Sequence, residues 1–526
     1  NLEYETSVSS FRTAFATFGA SQGKWYFECK RITGTSFAIG IISLDYKNRT
    51  KNVSYIGGAG DATNNIGYMK DGNTSIGGSE TSGYASYGNG DTVMVAMDID
   101  NGKVYFGVNG TWGNSGDPTS GATGTGARSF TPSGETWTFG VSVFNSHWEA
   151  NFGSPMYAIS SGNTDDNGYG QFKYDPPTGH LALCTANMPD PSIADPTDHF
   201  NTVLYTGNAN SRSITGVGFQ SDWTWLKQRS SPNRRHHLQD SVRGAGKSLF
   251  SDDTTAEETS ANYLTSFNSD GFSLGTSSET NGNSLNYASW NWKAGGTASS
   301  NSDGTITSSV SANPTAGFSI ASYTGNATTG ATVGHGLSQA PEMLIVKQRD
   351  AVKHWSVLAN SDPTDYLILN SDNATADDIG FWNDTNPSSS VFTLGSIDWV
   401  NDNTNTYIAY CFHSVDGYSK VGSYTGNGNA DGPMIYTGFR PAFLLIKRIN
   451  ATGVWPMFDN KRVGYNWDNR QLRANEATAE ETSNTFIDIL SNGFKCKNTA
   501  ADKNASGGTY TYLAFAESPF KYSNAR

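Results

Sequence analysis

The sequence has few charged residues and no long apolar run. Charged residues make up 16% of the 526 residues, against about 25% in a typical soluble domain. Lysine and glutamate, which favour helices, are scarce. No apolar run is long enough to span a membrane, and no signal peptide is visible. We therefore expect neither a helical protein nor one inserted in a membrane.

The chain also has few cysteines and little positive charge. Its four cysteines lie far apart, and Cys29 and Cys411 fall inside apolar strand patterns, which favours buried free thiols over a disulfide framework. The eight histidines are scattered, so we predict no metal site and no cofactor. The net charge of −13 argues against nucleic acid and anionic membranes as partners.

Glycine and aromatic residues are abundant instead. There are 58 glycines, and 12% of the residues are aromatic, a composition typical of an all-β protein with many turns. Residues 24–30 and 91–100 alternate between apolar and polar side chains, as strands with one buried face do. Asn109-Gly110 is a strong hairpin signal. Residues 1–175 are therefore predicted to form a β-sandwich.

This block resembles a SPRY domain. The resemblance rests on residues 23–28, 38–42, 66–68, 90–98 and 102–110. It implies a bent β-sandwich, without catalysis, whose loops at one end bind a partner that is usually a protein. Four aromatic residues in or beside the expected loops are candidate ligand-binding residues: Tyr46, Tyr84, Tyr87 and Trp112. The favoured alternative is that these rings pack the loops onto the sandwich, because Tyr and Trp commonly do both.

The rest of the chain repeats itself. Tyr-Thr-Gly-Asn begins at Tyr205, Tyr323 and Tyr424, and each copy precedes a strand with a basic end, a Gly-Phe pair and an aromatic strand in the same order. Such matched spacing indicates duplication. We predict three tandem, mutually related small β domains with at most one helical turn each. The expected segments are a Pro-rich connector, repeat 1, a Ser/Asn/Gly linker, repeat 2 and repeat 3, at 176–200, 201–296, 297–316, 317–419 and 420–526.

Several strands of the repeats are apolar on both faces. Residues 407–412, 443–446 and 510–515 show this pattern. A strand buried on both faces needs cover on each side, from a second sheet, a helix or a neighbouring subunit. The last option would suit a homo-oligomer such as a trimer.

The connector and the repeats resemble segments of tail-fibre and other appendage proteins of tailed bacteriophages, notably phages of marine bacteria. Residues 176–191 and 240–246 carry this resemblance, together with the Tyr-Thr-Gly-Asn landmarks. It implies an exposed, extracellular virion protein, most simply a tail fibre or spike component. Its partners would be other virion proteins and a host-surface glycan or protein. The alternatives are a capsid or tail decoration protein, a polysaccharide depolymerase and a secreted lectin-like protein.

Residues that could carry out chemistry are few. The pairs Glu257-Glu258 and Glu480-Glu481 could suggest glycoside hydrolysis, but adjacent carboxylates in a repeat do not specify a sugar cleft. Solvated turns explain them better, and no nucleophile or phosphate-binding motif is present. We predict no catalytic residue and no enzymatic activity.

One pair of charged residues recurs in only two of the repeats. Asp240 and Arg243 of repeat 1 have counterparts in Asp459 and Arg462 of repeat 3, whereas repeat 2 lacks the pair. A structural ion pair is the preferred interpretation, because nothing nearby suggests chemistry.

Overall fold

The computed structural model describes most of the chain. The described residues are 3–6, 12–16, 18–43, 55–58, 65–132, 135–231, 233–359, 362–462, 466, 470–484 and 486–523. They form two compact units, Asn1–Pro189 and Asp190–Arg526, called here the N-terminal and C-terminal units. Nearly all regular structure is strand, which confirms the all-β prediction.

The N-terminal unit contains twelve strands. Their bounds are β1 Glu3–Thr6, β2 Arg12–Phe15, β3 Lys24–Ser43, β4 Asn65–Met69, β5 Thr74–Ile76, β6 Ser79–Thr81, β7 Thr92–Asp98, β8 Lys103–Val108, β9 Thr111–Trp112, β10 Arg128–Ser129, β11 Trp137–Asn151 and β12 Leu181–Ala182.

Two long strands link the layers of this unit. The first half of β3 pairs with β7 and its second half with β4, while β11 pairs with β3 along most of its length. A strand shared in this way must bend, and Gly34 lies at the middle of β3 with a φ of 126°. Ser146 of β11 approaches it so closely that a Cβ there would lie 2.1 Å from the Ser146 hydroxyl. The result is the predicted bent β-sandwich.

Part of the predicted connector belongs to this unit. Residues 176–189 fall within the N-terminal unit, and β12 pairs in parallel with β3. The cause is the short apolar piece between the prolines: Ala182 is fully buried against Tyr26 and Phe172.

Repeat 1 forms two sheets and one helical turn. The larger sheet has the order β13-β21-β15-β16-β17-β18, and the smaller has the order β14-β20-β19. The bounds are β13 Phe200–Thr206, β14 Arg212–Ile214, β15 Trp223–Gln228, β16 His236–Asp240, β17 Lys247–Phe250, β18 Glu258–Thr259, β19 Leu264–Asn268, β20 Gly271–Leu274, α1 Ser278–Asn281 and β21 Asn286–Trp292.

Repeat 2 has the same plan with a hairpin added at one edge. The larger sheet has the order β22-β23-β24-β31-β26-β27-β28-β29, beside the pair β25-β30. The bounds are β22 Ser299–Asn301, β23 Ser308–Asn313, β24 Phe318–Thr324, β25 Thr332–Gly334, β26 Met343–Gln348, β27 Trp355–Ala359, β28 Asp365–Ile368, β29 Ala376–Asp377, α2 Ile379–Trp382, β30 Val391–Thr393, α3 Asp398–Asn401 and β31 Thr406–Phe412.

Repeat 3 follows with the sheets β32-β39-β34-β35-β36 and β33-β38-β37. The bounds are β32 Ser419–Thr425, β33 Met434–Tyr436, β34 Phe439–Arg448, β35 Pro456–Asp459, β36 Leu472–Arg473, β37 Ile487–Leu490, β38 Gly493–Cys496, α4 Ala501–Asn504 and β39 Thr509–Pro519.

Two expectations about these repeats were wrong in detail. Residues 297–316, predicted as a linker, contain β22 and β23, which extend the sheet of repeat 2. Their Ser-rich composition hides the strands, although Val310 is buried while Ser309 is exposed. Repeat 2 also has two helical turns rather than one, because Asp378 caps the start of α2 through the Gly380 N–H.

The three larger sheets share one hydrophobic core. This core lets the other repeats of the same chain cover one face of the doubly apolar strands. The second face of residues 407–412 is covered within repeat 2, where Tyr407, Ala409 and Cys411 join a separate cluster. The doubly apolar strands therefore no longer argue for a homo-oligomer, which stays a prediction. The largest contributors to the core are Trp223, Trp225, Trp290, Trp292, Trp355, Tyr410, Phe412, Phe443, Trp455 and Phe515.

The Tyr-Thr-Gly-Asn motif closes each repeat on itself. In repeat 1, Tyr205 stacks on Tyr287 with ring centroids 5.0 Å apart. Asn281, buried at the end of α1, accepts a hydrogen bond from the Asn208 N–H at 3.1 Å. Gly207 passes so close to α1 that a Cβ would lie 2.2 Å from the carbonyl oxygen of Gly282. Repeats 2 and 3 make the same contacts with Tyr323, Tyr407, Asn401, Tyr424, Tyr510 and Asn504.

Candidate functional site

Three of the four candidate ligand-binding aromatic residues lie in the described chain. Tyr84 is half-buried, and its hydroxyl donates to the Gly126 carbonyl at 2.9 Å. Tyr87 is buried and donates to the Tyr68 carbonyl at 2.9 Å. Trp112 is half-buried in β9. Tyr46 lies outside the described residues.

The rings join loops rather than project from them. Tyr84 packs on Tyr68 and Phe106, with centroids 5.6 and 6.2 Å away. Trp112 meets Tyr26 edge-on at 6.4 Å. These contacts fit the packing role. A ligand would therefore meet the exposed residues around the rings.

One turn beside Tyr84 was missed by the sequence reasoning. Asn114 and Ser115 have φ values of 53° and 51°, a left-handed conformation that is uncommon for residues other than glycine. Such residues often occur at ligand-contacting sites. The signal in the sequence is Gly113-Asn-Ser-Gly116, whose residues favour turns. We take residues 82–86 and 113–117 as the candidate binding loops of the N-terminal unit.

A buried carboxylate fastens the end of this unit to its sheet. Glu28 is fully buried on β3. Its two oxygens accept hydrogen bonds from Tyr26 Oη, Asn151 Nδ2, Tyr157 Oη, the Lys173 N–H and the Tyr174 N–H at 3.0, 3.1, 3.2, 2.9 and 2.7 Å. Every donor that surrounds the carboxylate is thereby used, so Glu28 is a structural anchor.

Replacing Glu28 by glutamine should loosen residues 170–175. The glutamine side chain has an NH₂ group in place of one carboxylate oxygen, and this group cannot accept the surrounding N–H and O–H donors. At least one hydrogen bond to a charged acceptor is therefore lost, at a cost of about 2 kcal/mol. Hydrogen exchange of peptides from this segment measures the loss. The exposed Glu80→Gln serves as the control. Unchanged protection of residues 170–175 in the Glu28 variant would contradict the anchoring role.

In the C-terminal unit, backbone hydrogen bonds join the repeats in a closed ring. The Glu257 N–H donates to the Arg349 carbonyl at 2.8 Å, which joins repeats 1 and 2. The Thr375 N–H donates to the Ile449 carbonyl at 3.0 Å, which joins repeats 2 and 3. The ring closes where the Glu480 N–H donates to the Arg229 carbonyl at 2.9 Å. We call these contacts interfaces 1–2, 2–3 and 3–1.

Interface 1–2 carries a buried ionic network. Arg243 Nε lies 2.5 Å from Asp240 Oδ2, and both side chains are fully buried. Glu257 accepts from Arg243 at 3.2 Å and from Arg349 at 2.9 and 3.0 Å. Tyr410 of repeat 2 donates its hydroxyl to Asp240 at 2.8 Å. The predicted ion pair of repeat 1 is thus part of a contact between repeats.

Interface 3–1 reproduces this network. Arg462 Nε lies 2.5 Å from Asp459 Oδ2, again with both side chains fully buried. Glu480 accepts from Arg462 at 3.0 Å and from Arg229 at 2.8 Å. Trp290 of repeat 1 donates its indole N–H to Asp459 at 2.9 Å, in the place of the Tyr410 hydroxyl.

Interface 2–3 replaces the whole set at once. The strand register puts Ala359 where the other repeats have Asp240 and Asp459. Leu513 stands in the place of Tyr410, while Thr375 and Ile449 replace the Glu–Arg pair. Because a buried charge without its partner is costly, all members of the network must be present or absent together. This explains the departure of repeat 2.

The adjacent carboxylates serve different partners. Glu258 accepts two hydrogen bonds from Arg235 at 2.8 and 3.1 Å, while Glu481 accepts one from Arg473 at 3.0 Å. The hydrogen bond from Arg235 holds the pKa of Glu258 below its usual value. Burial raises the pKa of Glu257, but the hydrogen bonds and charges of the arginines outweigh this effect and lower it. A general acid needs the opposite shift.

Three buried lysines lie at equivalent strand positions. Lys227, Lys347 and Lys447 have at most 1% of their surface exposed. Their ammonium groups donate to backbone carbonyls, and those of Lys227 and Lys447 reach Ala477 and Asp372 of the preceding repeat in the ring at 3.1 and 3.0 Å. Burial lowers their pKa values to about 8, 7 and 8.

A shallow groove of about 360 Å³ lies beside the added hairpin of repeat 2. Each of its lining residues carries a hydroxyl group, although the Ser308 and Tyr323 hydroxyls already donate to the Gly334 and Val400 carbonyls. Hydroxyls both donate and accept hydrogen bonds, which suits a polyhydroxylated ligand. The lining residues are Ser300, Thr307, Ser308, Ser309, Ser322, Tyr323, Thr324 and Thr406.

Within the described ranges, no cluster of three or more His, Cys, Asp or Glu side chains could hold a metal ion. The same residues include no helix long and apolar enough to cross a membrane.

Comparison with known families assigns both units. A family model with the description "Domain of unknown function (DUF7483)" matches residues 195–519, more than half of the chain. The chain belongs to the DUF7483 family. This single match spans all three repeats. A second model, the SPRY domain, matches residues 24–154.

Two solved structures are similar to the SPRY part. The SPRY domain of human HERC1 is 13% identical, and the alignment covers 29% of this chain and 86% of that one with a TM-score of 0.21. A human SPRY domain is 15% identical, with 28% and 88% covered and a TM-score of 0.21. The search of curated proteins gives no match.

Comparison of the three repeats suggests a stabilising substitution at Asp252, because the other two repeats have asparagine at the equivalent position. Asp252 accepts the His236 N–H at 2.9 Å, and Asn370 and Asn475 accept the equivalent N–H groups at the same distance. Burial raises the pKa of Asp252 to about 6 from 3.8. Its stabilising effect is therefore complete below pH 3.8 and is lost as the pH rises through 6.

Asp252→Asn should be more stable than the wild-type protein at pH 7 by about 1–3 kcal/mol and equal to it near pH 4. Denaturant titrations at the two pH values measure the difference. The neighbouring Asp253→Asn is the control, because the hydrogen bonds from Thr255 oppose burial and lower the pKa of Asp253. A loss of stability at pH 7 in the Asp252 variant would contradict this reading.

Proposed function

We propose that the protein is a non-enzymatic structural and adhesive component of a phage particle, a tail fibre or spike that contacts the host surface. The observation that supports this most is that the two units differ in the role of their polar residues. The SPRY domain offers loops to a partner, while the repeated charged residues of the DUF7483 unit brace its own interfaces. The sequence resemblance to phage appendage proteins supplies the virion setting.

Two surfaces support the adhesive role. The candidate binding loops 82–86 and 113–117 are fixed to the sandwich by Tyr84 and Tyr87, so a partner would meet preformed loops. The hydroxyl-lined groove of repeat 2 offers hydrogen bonds that suit a host-surface glycan. Other virion proteins are the further partners of this proposal.

The depolymerase alternative has less support. Such an enzyme needs one carboxylic acid with a raised pKa across a cleft from a second carboxylate. Glu257 is held by two arginines and Glu480 by three, and the pKa of Glu257 is lowered. The decoration alternative differs from the fibre in location alone.

Labelling intact phage particles that encode this chain with an antibody against it tests the proposal. Electron microscopy should show the label at the tail tip or on its fibres. Label on the head or tail tube would favour the decoration alternative over the fibre. Absence of the chain from purified particles, checked by mass spectrometry, would overturn the virion proposal. Release of sugar from host polysaccharide by the purified protein would overturn the non-enzymatic one.

A further inference from the structure

The three repeats treat one equivalent sheet edge in three different ways. The equivalent strands, each paired with the aromatic strand that closes its repeat, are β13 in repeat 1, β24 in repeat 2 and β32 in repeat 3. In repeat 2 this edge is covered, because β23 pairs with β24 over five residue pairs. Within the described chain, β13 and β32 pair with a strand on one side only. An open edge presents unpaired N–H and C=O groups and invites another strand.

The open edge of repeat 3 carries two features that discourage pairing. Lys420 places a charge on β32, and Gly422 lies within the strand. Charged residues are a common protection of edges, and glycine weakens a strand.

The residues of the open edge of repeat 1 have neither feature. Among the described residues, the one charged group that hydrogen-bonds to this edge is the Arg212 guanidinium, which donates to the Thr206 carbonyl at the end of the strand at 2.9 Å. The seven residues of β13, Phe-Asn-Thr-Val-Leu-Tyr-Thr, include no charge, no proline and no glycine. Leu204 is 37% exposed, one of the few large apolar side chains of the described residues that face solvent. The equivalent positions hold Ser322 under the hairpin of repeat 2 and Ser423 in repeat 3. Only β13 combines an open edge with an exposed apolar side chain.

We infer that β13 is the contact surface for a second copy of this chain, which adds its own β13 antiparallel across a twofold axis. A neutral strand is compatible with pairing to itself, because no like charges meet. The two six-stranded sheets would then join into one continuous sheet. Repeat 2 shows within this chain that an added antiparallel strand fits this edge. The inference is independent of the proposed phage function.

The contact is twofold, which differs from the trimer that the sequence suggested. A standard interface buries about 800 Å² of accessible surface on each partner, and a single pair of strands buries less. The dimer is therefore expected to depend on protein concentration.

Sedimentation of the full chain over a concentration series tests this inference. The wild-type mass should rise from 56.4 kDa towards twice that value. Leu204→Lys should remain at the monomer mass, since it places a charge on the edge of each copy. The matched control Ser423→Lys, at the equivalent position of β32, should dimerise as the wild-type protein does. Thr206→Lys is a second variant of the same edge at an exposed position, and circular dichroism checks that each variant is folded.

Three results would overturn the inference. One is a wild-type monomer at every concentration, which would leave β13 open or assign it to a different partner. Another is a dimer that both Leu204→Lys and Thr206→Lys leave intact. The third is a trimer, because antiparallel pairing of two identical edges closes after two copies.

Discussion

Replacing Arg243 by methionine is expected to destabilise the DUF7483 unit by about 3–5 kcal/mol. The reason is that Asp240 is fully buried and Arg243 is its charged partner at 2.5 Å. Removal of the guanidinium leaves a carboxylate in the core with only the Tyr410 hydroxyl and the backbone N–H of residue 243. Denaturant titration, read by pulsed hydrogen exchange on peptides of residues 201–526, measures the loss.

The chain offers a matched test of the same argument. Interface 2–3 works without the ionic network, so replacing the fully buried members of the network at interface 1–2 should recover most of the lost stability, while Glu257 keeps Arg349 as its partner. The triple variant Asp240→Ala, Arg243→Met, Tyr410→Phe removes both charges and the hydroxyl, and keeps the ring that stacks on Trp223 at 4.3 Å. If the triple variant is as unstable as Arg243→Met alone, the uncompensated charge is not the cause.

The stability of the DUF7483 unit is expected to rise by about 3–5 kcal/mol between pH 7 and pH 9. Lys227, Lys347 and Lys447 have pKa values of about 8, 7 and 8 when folded, against 10.5 when exposed. A lowered lysine pKa stabilises the fold above pH 10.5, and this stabilisation is lost as the pH falls to the folded value. Between pH 7 and 9 the unfolded chain therefore binds more protons than the folded one.

Lysine variants show which residues cause this rise. Lys347→Met should reduce the pH dependence most, because Lys347 has the lowest pKa of the three. Lys461→Met is the control, since that side chain is exposed. The titration stays below pH 9 because of the Cys411 thiol, whose ordinary pKa is 9.0. Burial raises the pKa of this thiol, so above pH 9 its ionisation in the unfolded chain would lower the stability and oppose the effect of the lysines. A flat profile in the wild-type protein would contradict the buried charges.

Local patterns predicted much of the fold. The strand predicted within residues 91–100 is β7, but all seven of its residues are buried, so the single buried face expected from the alternation was wrong. The SPRY resemblance is matched by a family model over residues 24–154. The predicted structural pair Asp240–Arg243 is a buried ion pair. The predictions that succeeded concern residues close together in the chain, or motifs whose spacing repeats.

Long-range pairing was beyond the sequence. The sequence displays Arg229 and Arg349 at matched positions, but each pairs with a glutamate of a different repeat, Glu480 and Glu257. No local pattern in the sequence specifies which repeats contact each other. Likewise, Tyr87 was a candidate for ligand contact, although it is only 5% exposed. The sequence around a loop tyrosine does not show whether its side chain packs inward or faces solvent.

The three repeats form one closed unit, and cooperative unfolding tests this most directly. Pulsed hydrogen exchange across a denaturant titration of the full chain should give one midpoint for peptides of all three repeats. Arg462→Met at interface 3–1 should lower that midpoint equally in repeat 2, which contributes no residue to its ionic network. Separate midpoints for the repeats, or a shift confined to repeats 1 and 3, would contradict the closed unit.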